Sequence, residues 1–454
     1  MNRLVALRIV IGFLIVLASV EVNGDSGRDY WPTWRGPDAT GVAPNGNPPL
    51  TWSETENIKW KVKLPGKGTS SPLVWADRIF FQTAIKTDKK GTPTAPEAQN
   101  PGSSAGRRRP FHGGKTPTNI YKFALVCMDR NTGKILWQKT AREEMPHEGH
   151  HPTHGFASYS PVTDGRHIWA NFGSRGVHCY DIDGNHKWSR DLGKIRAKMM
   201  FGEGSSPALA GDAVIVMMDH EGDSFIYALS KKTGRTIWKK GRDEVTSWAT
   251  PVAVEVDAKI QVIVSASNFV RSYDLKTGDL VWQCSGQTGN VIPSPVVGFG
   301  KVFCTSGFRG SALHAIELGR TGDLSGSDAI SWQVNQATPY VPSPLLYGDR
   351  LYVCSGNRAV ISCYNARTGK ANFVKQPLEK AGGIYASPVG AANRIYFVGR
   401  NGVCQVIALA EEFQVLATNT LDDDFDASPA IAGDQLFLKG KTYLYCIAKQ
   451  SERR

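Results

Sequence analysis

Four of the chain's ten histidines fall within eight residues, in Met145-Pro-His147-Glu148-Gly-His150-His151-Pro-Thr-His154. Imidazole is the commonest transition-metal ligand, and His147, His150, His151 and His154 together form a donor set suited to Zn, Cu, Ni or Fe. Pro146, Gly149 and Pro152 exclude a regular helix, so the spacing does not align the rings on one helical face. The same run also reads as a polar loop whose imidazoles bond backbone carbonyls or one another.

A second group is Asp219-His220-Glu221-Gly-Asp223-Ser224, with Glu203 and Glu244 in neighbouring segments. Carboxylates beside an imidazole suit cation binding or general acid/base chemistry. Turn chemistry explains the same composition, because Asp, Glu and Gly are ordinary loop residues. A third group is cationic: Arg175, Arg309, Arg358, Arg400 and Lys441, each beside Gly or Asn. Arginines around one mouth favour an anionic ligand. Opposing them is Asp422-Asp-Asp-Phe-Asp426, whose plainer use is to pair with the arginines. The candidate cofactor-binding residues are thus Glu203, His220, Glu221, Asp223, Glu244, Arg309, Arg358 and Arg400.

What positions these groups is a repeat. A Ser/Thr-Pro dipeptide recurs at Ser71, Ser160, Ser206, Thr250, Ser294, Ser343, Ser387 and Ser428, with prolines 89, 46, 44, 44, 49, 44 and 41 residues apart. Each opener precedes apolar, β-branched runs. A closing half follows: a small residue, an acid two later, Thr-Gly, then Trp, as in Ser272/Asp274/Thr277-Gly278/Trp282. Four short strands at a period in the forties are propeller blades. The eighth copy lacks its last strand, and Ile58-Lys-Trp60-Lys-Val-Lys-Leu64 lies before the first opener. The expected fold is all-β: an eight-bladed propeller of four-stranded antiparallel blades, residues 58–449, closed by that N-terminal strand. In this strand order the connections into each first strand share a face with the loops between strands two and three. All three candidate groups fall on that face, at the channel mouth.

Residues 1–24 read as a secretory signal: Arg3 and Arg8 flank the start of an apolar run, Ile9–Val20, too short to span a bilayer, and a small residue, Gly24, precedes the cut. Residues 25–57 form an N-terminal extension whose tryptophans pack on the propeller body, and 450–454 a tail. Lys86–Asn119, rich in Pro, Gly and Ser with Arg107-Arg-Arg109, reads as a mobile insertion in the first blade. The net charge of +12 is spread over turn lysines and arginines rather than gathered in a stripe, which argues against nucleic acid. Cys127, Cys179, Cys363 and Cys446 occupy one register position of separate blades, so they read as small buried residues; Cys354 and Cys363, which share one hairpin, are the only pair worth testing for a disulfide.

These repeats, the Trp-closed half and Trp34-Arg-Gly-Pro37 resemble the PQQ-like (pyrroloquinoline quinone) β-propeller repeat family, over nearly the whole chain after residue 24. The closing half is similar to the tryptophan-docking motif that joins quinoprotein blades. The resemblance implies either a calcium- and PQQ-dependent dehydrogenase or a non-catalytic scaffold of outer-membrane barrel assembly. The chain departs from the dehydrogenases in having no two adjacent cysteines and no Cys-x-x-Cys-His for haem, and their calcium ligands find no counterparts. The reading is an exported, periplasmic or secreted, monomeric binding or interaction scaffold with its site at the channel mouth. Its expected partner is a protein, a small anionic ligand or a carbohydrate. The alternative is a PQQ- or metal-dependent oxidoreductase.

Overall fold

The computed structural model describes residues 27–92, 114 and 117–449. The expected signal, most of the first-blade insertion with Arg107–Arg109, and the tail lie outside the described residues. The described residues fold into eight sheets, each a blade of four antiparallel strands in simple up-and-down order, with a short fifth strand added to the outside of blade four. Blade three is representative: Ala208–Ala210, Ala213–Met218, Ser224–Ser230 and Thr236–Arg242 run from the channel outward. Its second strand is buried at every residue, whereas the outer strand buries only alternate side chains near Trp238. The inner strands are sandwiched between neighbouring blades, so both their faces must be apolar. The core therefore sits between blades: Ile215, Met217 and Trp238 of blade three pack on Val262, Val264 and Tyr273 of blade four.

Ring closure follows the expectation. Ile58–Lys63 pairs antiparallel with Tyr443–Ile447, setting Trp60 opposite Cys446 and Val62 opposite Leu444. Leu73–Trp75 of blade one in turn contacts Ala430–Ala432 of blade eight. All eight cysteines are buried and unbridged, Cys354 and Cys363 included.

Two features of the repeat acquire physical reasons. In the closing half, Asp274 Oδ1 accepts the N–H groups of Lys276 (2.8 Å) and Thr277 (2.9 Å), which winds the turn. Gly278 then adopts φ +74°, and a Cβ there would stand 2.6 Å from the Trp238 indole of the preceding blade. That indole donates to the Leu275 carbonyl at 2.7 Å. Glycine is needed for both the dihedral and the close approach. Trp60 donates likewise to the Arg130 carbonyl (3.0 Å), so the same contact seals the closing seam. Trp282 differs because blade five carries its insertion at this turn. There Gly322–Asp323 adds a parallel strand outside Trp282 and Gln283, and Leu324 buries beside them.

The opener is the second feature. The N–H of each of the first seven openers donates to the opener hydroxyl of the next blade, from Ser71 to Ser160 (2.9 Å) and onward to Ser387 and Ser428 (2.9 Å). The following proline starts the innermost strand, where a channel-facing N–H has no ladder partner. A chain of side-chain bonds thus ties consecutive blades at the channel wall.

The extension does more than pack outside. Trp31 and Trp52 are buried in the body. Between them the chain crosses the far ends of the innermost strands, bonding Val74, Thr163, Leu346, Gly390 and Gly433. Arg35, 4% exposed, donates to the carbonyls of Pro388 (2.9 Å) and Pro344 (2.9 Å). With no carboxylate beside it, burial alone lowers its pKa to about 9. The segment thus ties blades one, two, six, seven and eight together at the strand ends away from the openers.

In blade one, Arg78–Lys90 and Asn119–Asp129 continue as a long hairpin, pairing Lys86 with Tyr121 and Lys90 with Asn119. The start and end of the expected insertion are therefore ordered strand. Gly114 N–H donates to the Met199 carbonyl, which brings the returning chain beside the mouth.

Candidate functional site at the channel mouth

The histidine loop zips onto the connection into blade three. His147 Nε2 bonds the Ile195 carbonyl (2.8 Å), and Glu148 accepts the Ala197 N–H (2.9 Å). His150 Nδ1 lies 2.8 Å from the His151 carbonyl, and His151 Nδ1 2.8 Å from Thr153 Oγ1. His154 Nδ1 reaches the Gly155 carbonyl (3.0 Å). Burial lowers the His147 pKa and takes that of His154 to about 4, while it raises Glu148 to about 6. Among the described residues, no three His, Cys, Asp or Glu side chains converge with metal-holding geometry. The four rings are close in sequence but each turns to its own backbone or hydroxyl partner.

The acidic candidates are engaged one by one. Glu203 accepts from Arg175 Nη1, Ser174 Oγ and the Ser174 N–H, each at 2.8 Å. Asp219 and Arg242 form a bidentate pair (2.7 and 3.0 Å) with no exposed side-chain surface, and Arg242 also donates to the Tyr273 hydroxyl (2.6 Å). Glu244 accepts from Arg271 (2.6 Å) and from the Asn268 and Phe269 N–H groups (2.9 and 3.1 Å); its burial still raises the pKa. Glu221 accepts from Thr246 Oγ1 (2.8 Å). Asp223 is exposed at the loop tip, beside a half-buried His220 whose pKa burial lowers. These residues brace blades two to four against one another and form no shared cluster.

The cations divide. Arg400 is tied to Asp426 (2.6 Å) and lies over Tyr385 at 4.1 Å. Lys441 pairs with Asp424 (2.9 Å). Arg309 is exposed, over Phe308 at 5.2 Å, and Arg358 is exposed on its loop.

Between these groups lies a cavity of about 380 Å³, within the range of small-ligand sites. Its wall follows a rule the repeat carries. Extended chain alternates faces, so the residue two before each opener joins the opener on the channel side. In blades one to three that residue is Thr69, Ser158 and Gly204; in blades four to seven, Trp248, Ile292, Val341 and Tyr385; in blade eight, Asp426. Phe201, Phe308 and Tyr340 add to the apolar side, His151, Thr153 and His154 to the polar side, and Trp34 of the extension also lines the cavity. The opener hydroxyls of Ser71, Ser160, Ser206, Thr250, Ser387 and Ser428 complete it; all but that of Ser71 accept a backbone N–H, and a hydroxyl so engaged still has its own O–H to donate. Of the sequence candidates only His151 and His154 line this cavity. The aromatic residues and Asp426 went unrecognised as a group, although the opener register locates them.

The fold and its channel define an eight-bladed PQQ-like β-propeller. The sequence profile described as outer membrane protein assembly factor BamB matches residues 121–375, more than half of the chain, and the chain belongs to that family. No curated protein sequence matches it significantly. Solved structures similar to it include BamB from Moraxella catarrhalis, 15% identical, with TM-score 0.51 over 72% of this chain and 93% of that one. The quinohemoprotein alcohol dehydrogenase from Comamonas testosteroni is 9% identical, with TM-score 0.60 over 94% and 82%. A second such enzyme, from Pseudomonas putida HK5, is 8% identical, with TM-score 0.57 over 94% and 82%. At these identities the likeness is one of fold.

The residues at the mouth do not fit pyrroloquinoline quinone with calcium. The quinone is a polyanion, yet no lysine or arginine lines the cavity, and Arg400 beside it is tied to the cavity's one carboxylate, Asp426. Calcium takes 6–8 oxygen ligands, and Glu203, Asp219 and Glu244 are already bound to arginines.

Proposed function

We propose that this protein is an exported binding propeller, a scaffold that takes its ligand or partner at the channel mouth and performs no chemistry on it. The observation that carries this is the division of labour at the mouth. Carboxylates and arginines of blades two to four are engaged with each other, while the cavity beside them offers aromatic faces and hydroxyls. The acceptors left over, His154 Nε2 and Asp426 Oδ2, belong to the connections into blades two and eight, and among the described residues no three metal-ligating side chains are gathered. An aromatic, hydroxyl-lined well needs only a shape to fill it. Export rests on the Arg-flanked apolar run before residue 24, and agrees with a family named for outer-membrane assembly. No helix among the described residues is long and apolar enough to cross a membrane. The competing reading is a quinone-dependent oxidoreductase, and the fold likeness to alcohol dehydrogenases is what favours it. The test is dye reduction by purified protein supplied with PQQ and Ca²⁺ over a panel of alcohols and sugars. No turnover is expected; tight quinone binding with turnover would overturn the scaffold reading.

A further inference from the structure

The cavity is two-sided, and that restricts what can fill it. Trp248, Tyr385, Tyr340, Phe308 and Trp34 make one apolar part, and Trp248 is held by an indole bond to the Gly202 carbonyl (2.8 Å). Phe201, Ile292 and Val341 add apolar surface, and the polar remainder is uncharged hydroxyl and imidazole plus Asp426. Asp426 Oδ1 accepts from Arg400, which leaves Oδ2 as an acceptor towards the cavity. His154 donates from Nδ1 to the Gly155 carbonyl (3.0 Å), which leaves Nε2 as an acceptor. The opener hydroxyls supply donors. Neither cation near the wall lines the cavity: Arg35, close to Trp34, donates to carbonyls, and Arg400, over Tyr385, is tied to Asp426.

We infer that this cavity binds a neutral polyhydroxylated ring, a sugar residue of a carbohydrate ligand, and excludes anionic ligands. A pyranose has the matching halves: C–H faces that stack on aromatic rings and a rim of hydroxyls that both donate and accept. An anion would be desolvated beside Asp426, whose partner Arg400 is already committed to it, a cost that a neutral sugar avoids. The inference rests on the mouth being a binding site and adds the class of ligand.

The test is calorimetric titration of the full-length protein with neutral oligosaccharides, with uronic-acid and sulfated counterparts, and with PQQ plus Ca²⁺. Saturable binding of a neutral sugar is expected, weakened roughly tenfold in Trp248→Ala and again in Tyr385→Ala. Arg320→Ala, on an exposed turn outside the cavity, is expected to bind as the parent does. Unchanged near-ultraviolet circular dichroism in each variant separates loss of the site from loss of the fold. Preference for the acidic sugars or the quinone would overturn the inference, as would neutral-sugar binding that survives both aromatic deletions. If no sugar binds and the dye assay also gives no turnover, the ligand class fails while the scaffold reading stands. Turnover of a bound neutral sugar would do the reverse.

Discussion

Replacing Ser294 by alanine isolates one link of the chain of bonds that ties the blades together. Ser294 is 5% exposed, and its hydroxyl accepts the Thr250 N–H at 2.8 Å. It lies outside the ligand cavity, so a change there reads on assembly alone. Alanine removes the acceptor and leaves the Thr250 N–H buried without a partner. An unmade buried bond of this kind costs about 1–3 kcal/mol. The threonine replacement is the control, because blade four already uses Thr250 in this role, accepting from Ser206 at 3.1 Å. Ser294→Thr keeps the oxygen and is expected within about 1 kcal/mol of the parent. Urea unfolding followed by tryptophan fluorescence reads the difference as a lower midpoint at unchanged slope. Native-state hydrogen exchange adds a local readout: the Thr250 amide should exchange faster in Ser294→Ala and not in Ser294→Thr. If alanine and threonine behave alike, with Thr250 equally protected, the opener is not a structural lock and the reasoning is wrong.

Three further outcomes follow from the same structure. Gly278→Ala forces a side chain into φ +74° and onto the Trp238 indole, and a loss of about 2–4 kcal/mol in urea unfolding is expected, roughly the left-handed cost plus overpacking. Asp219→Asn strips the charge partner from fully buried Arg242, so destabilisation of about 3–5 kcal/mol is expected, with Arg242→Met in the same background recovering part of it; no recovery would argue against an uncompensated charge as the cause. His178 is buried, bonds the Arg175 carbonyl at 2.9 Å, and has a pKa lowered by burial to about 4 from 6.5. The unfolded chain therefore takes up a proton near pH 6.5 that the folded chain refuses until about pH 4. Stability from this group is whole above pH 6.5 and declines on acidification through that window, by up to roughly 3 kcal/mol. In His178→Gln the difference from the parent should narrow as pH falls from 7 to 4, and a constant difference would contradict the assignment.

The fold was legible because a propeller repeats its physics in its sequence. Acid-x-x-Thr-Gly winds the turn, the glycine admits the preceding blade's indole, and the incomplete last copy announces the closing strand at Ile58. Four of the eight buried cysteines, Cys127, Cys179, Cys363 and Cys446, could be placed from register alone. The site was less legible, for two reasons. Histidines and acids crowded in sequence suggest a shared ligand, but the direction of each ring is set by the nearest carbonyl or hydroxyl, and His147 and His150 turn to backbone carbonyls. Arginine–carboxylate partners such as Arg242 and Asp219 lie on different strands, so their pairing appears only in three dimensions. The cavity wall, in contrast, was written two residues before every opener. Trp248, Tyr385 and Asp426 look unrelated until the repeats are aligned on the serine and the alternation of extended chain is counted back from it. The use of the opener itself was hidden because its bond crosses to the next blade.

The central claim is that the channel mouth binds without reacting. The most direct measurement incubates the full-length protein with PQQ, Ca²⁺, an electron-accepting dye and the carbohydrate it binds best, then quantifies sugar and reduced dye together. The account predicts the sugar recovered intact and the dye oxidised. Consumption of sugar matched by dye reduction, abolished in Asp426→Asn, would contradict it.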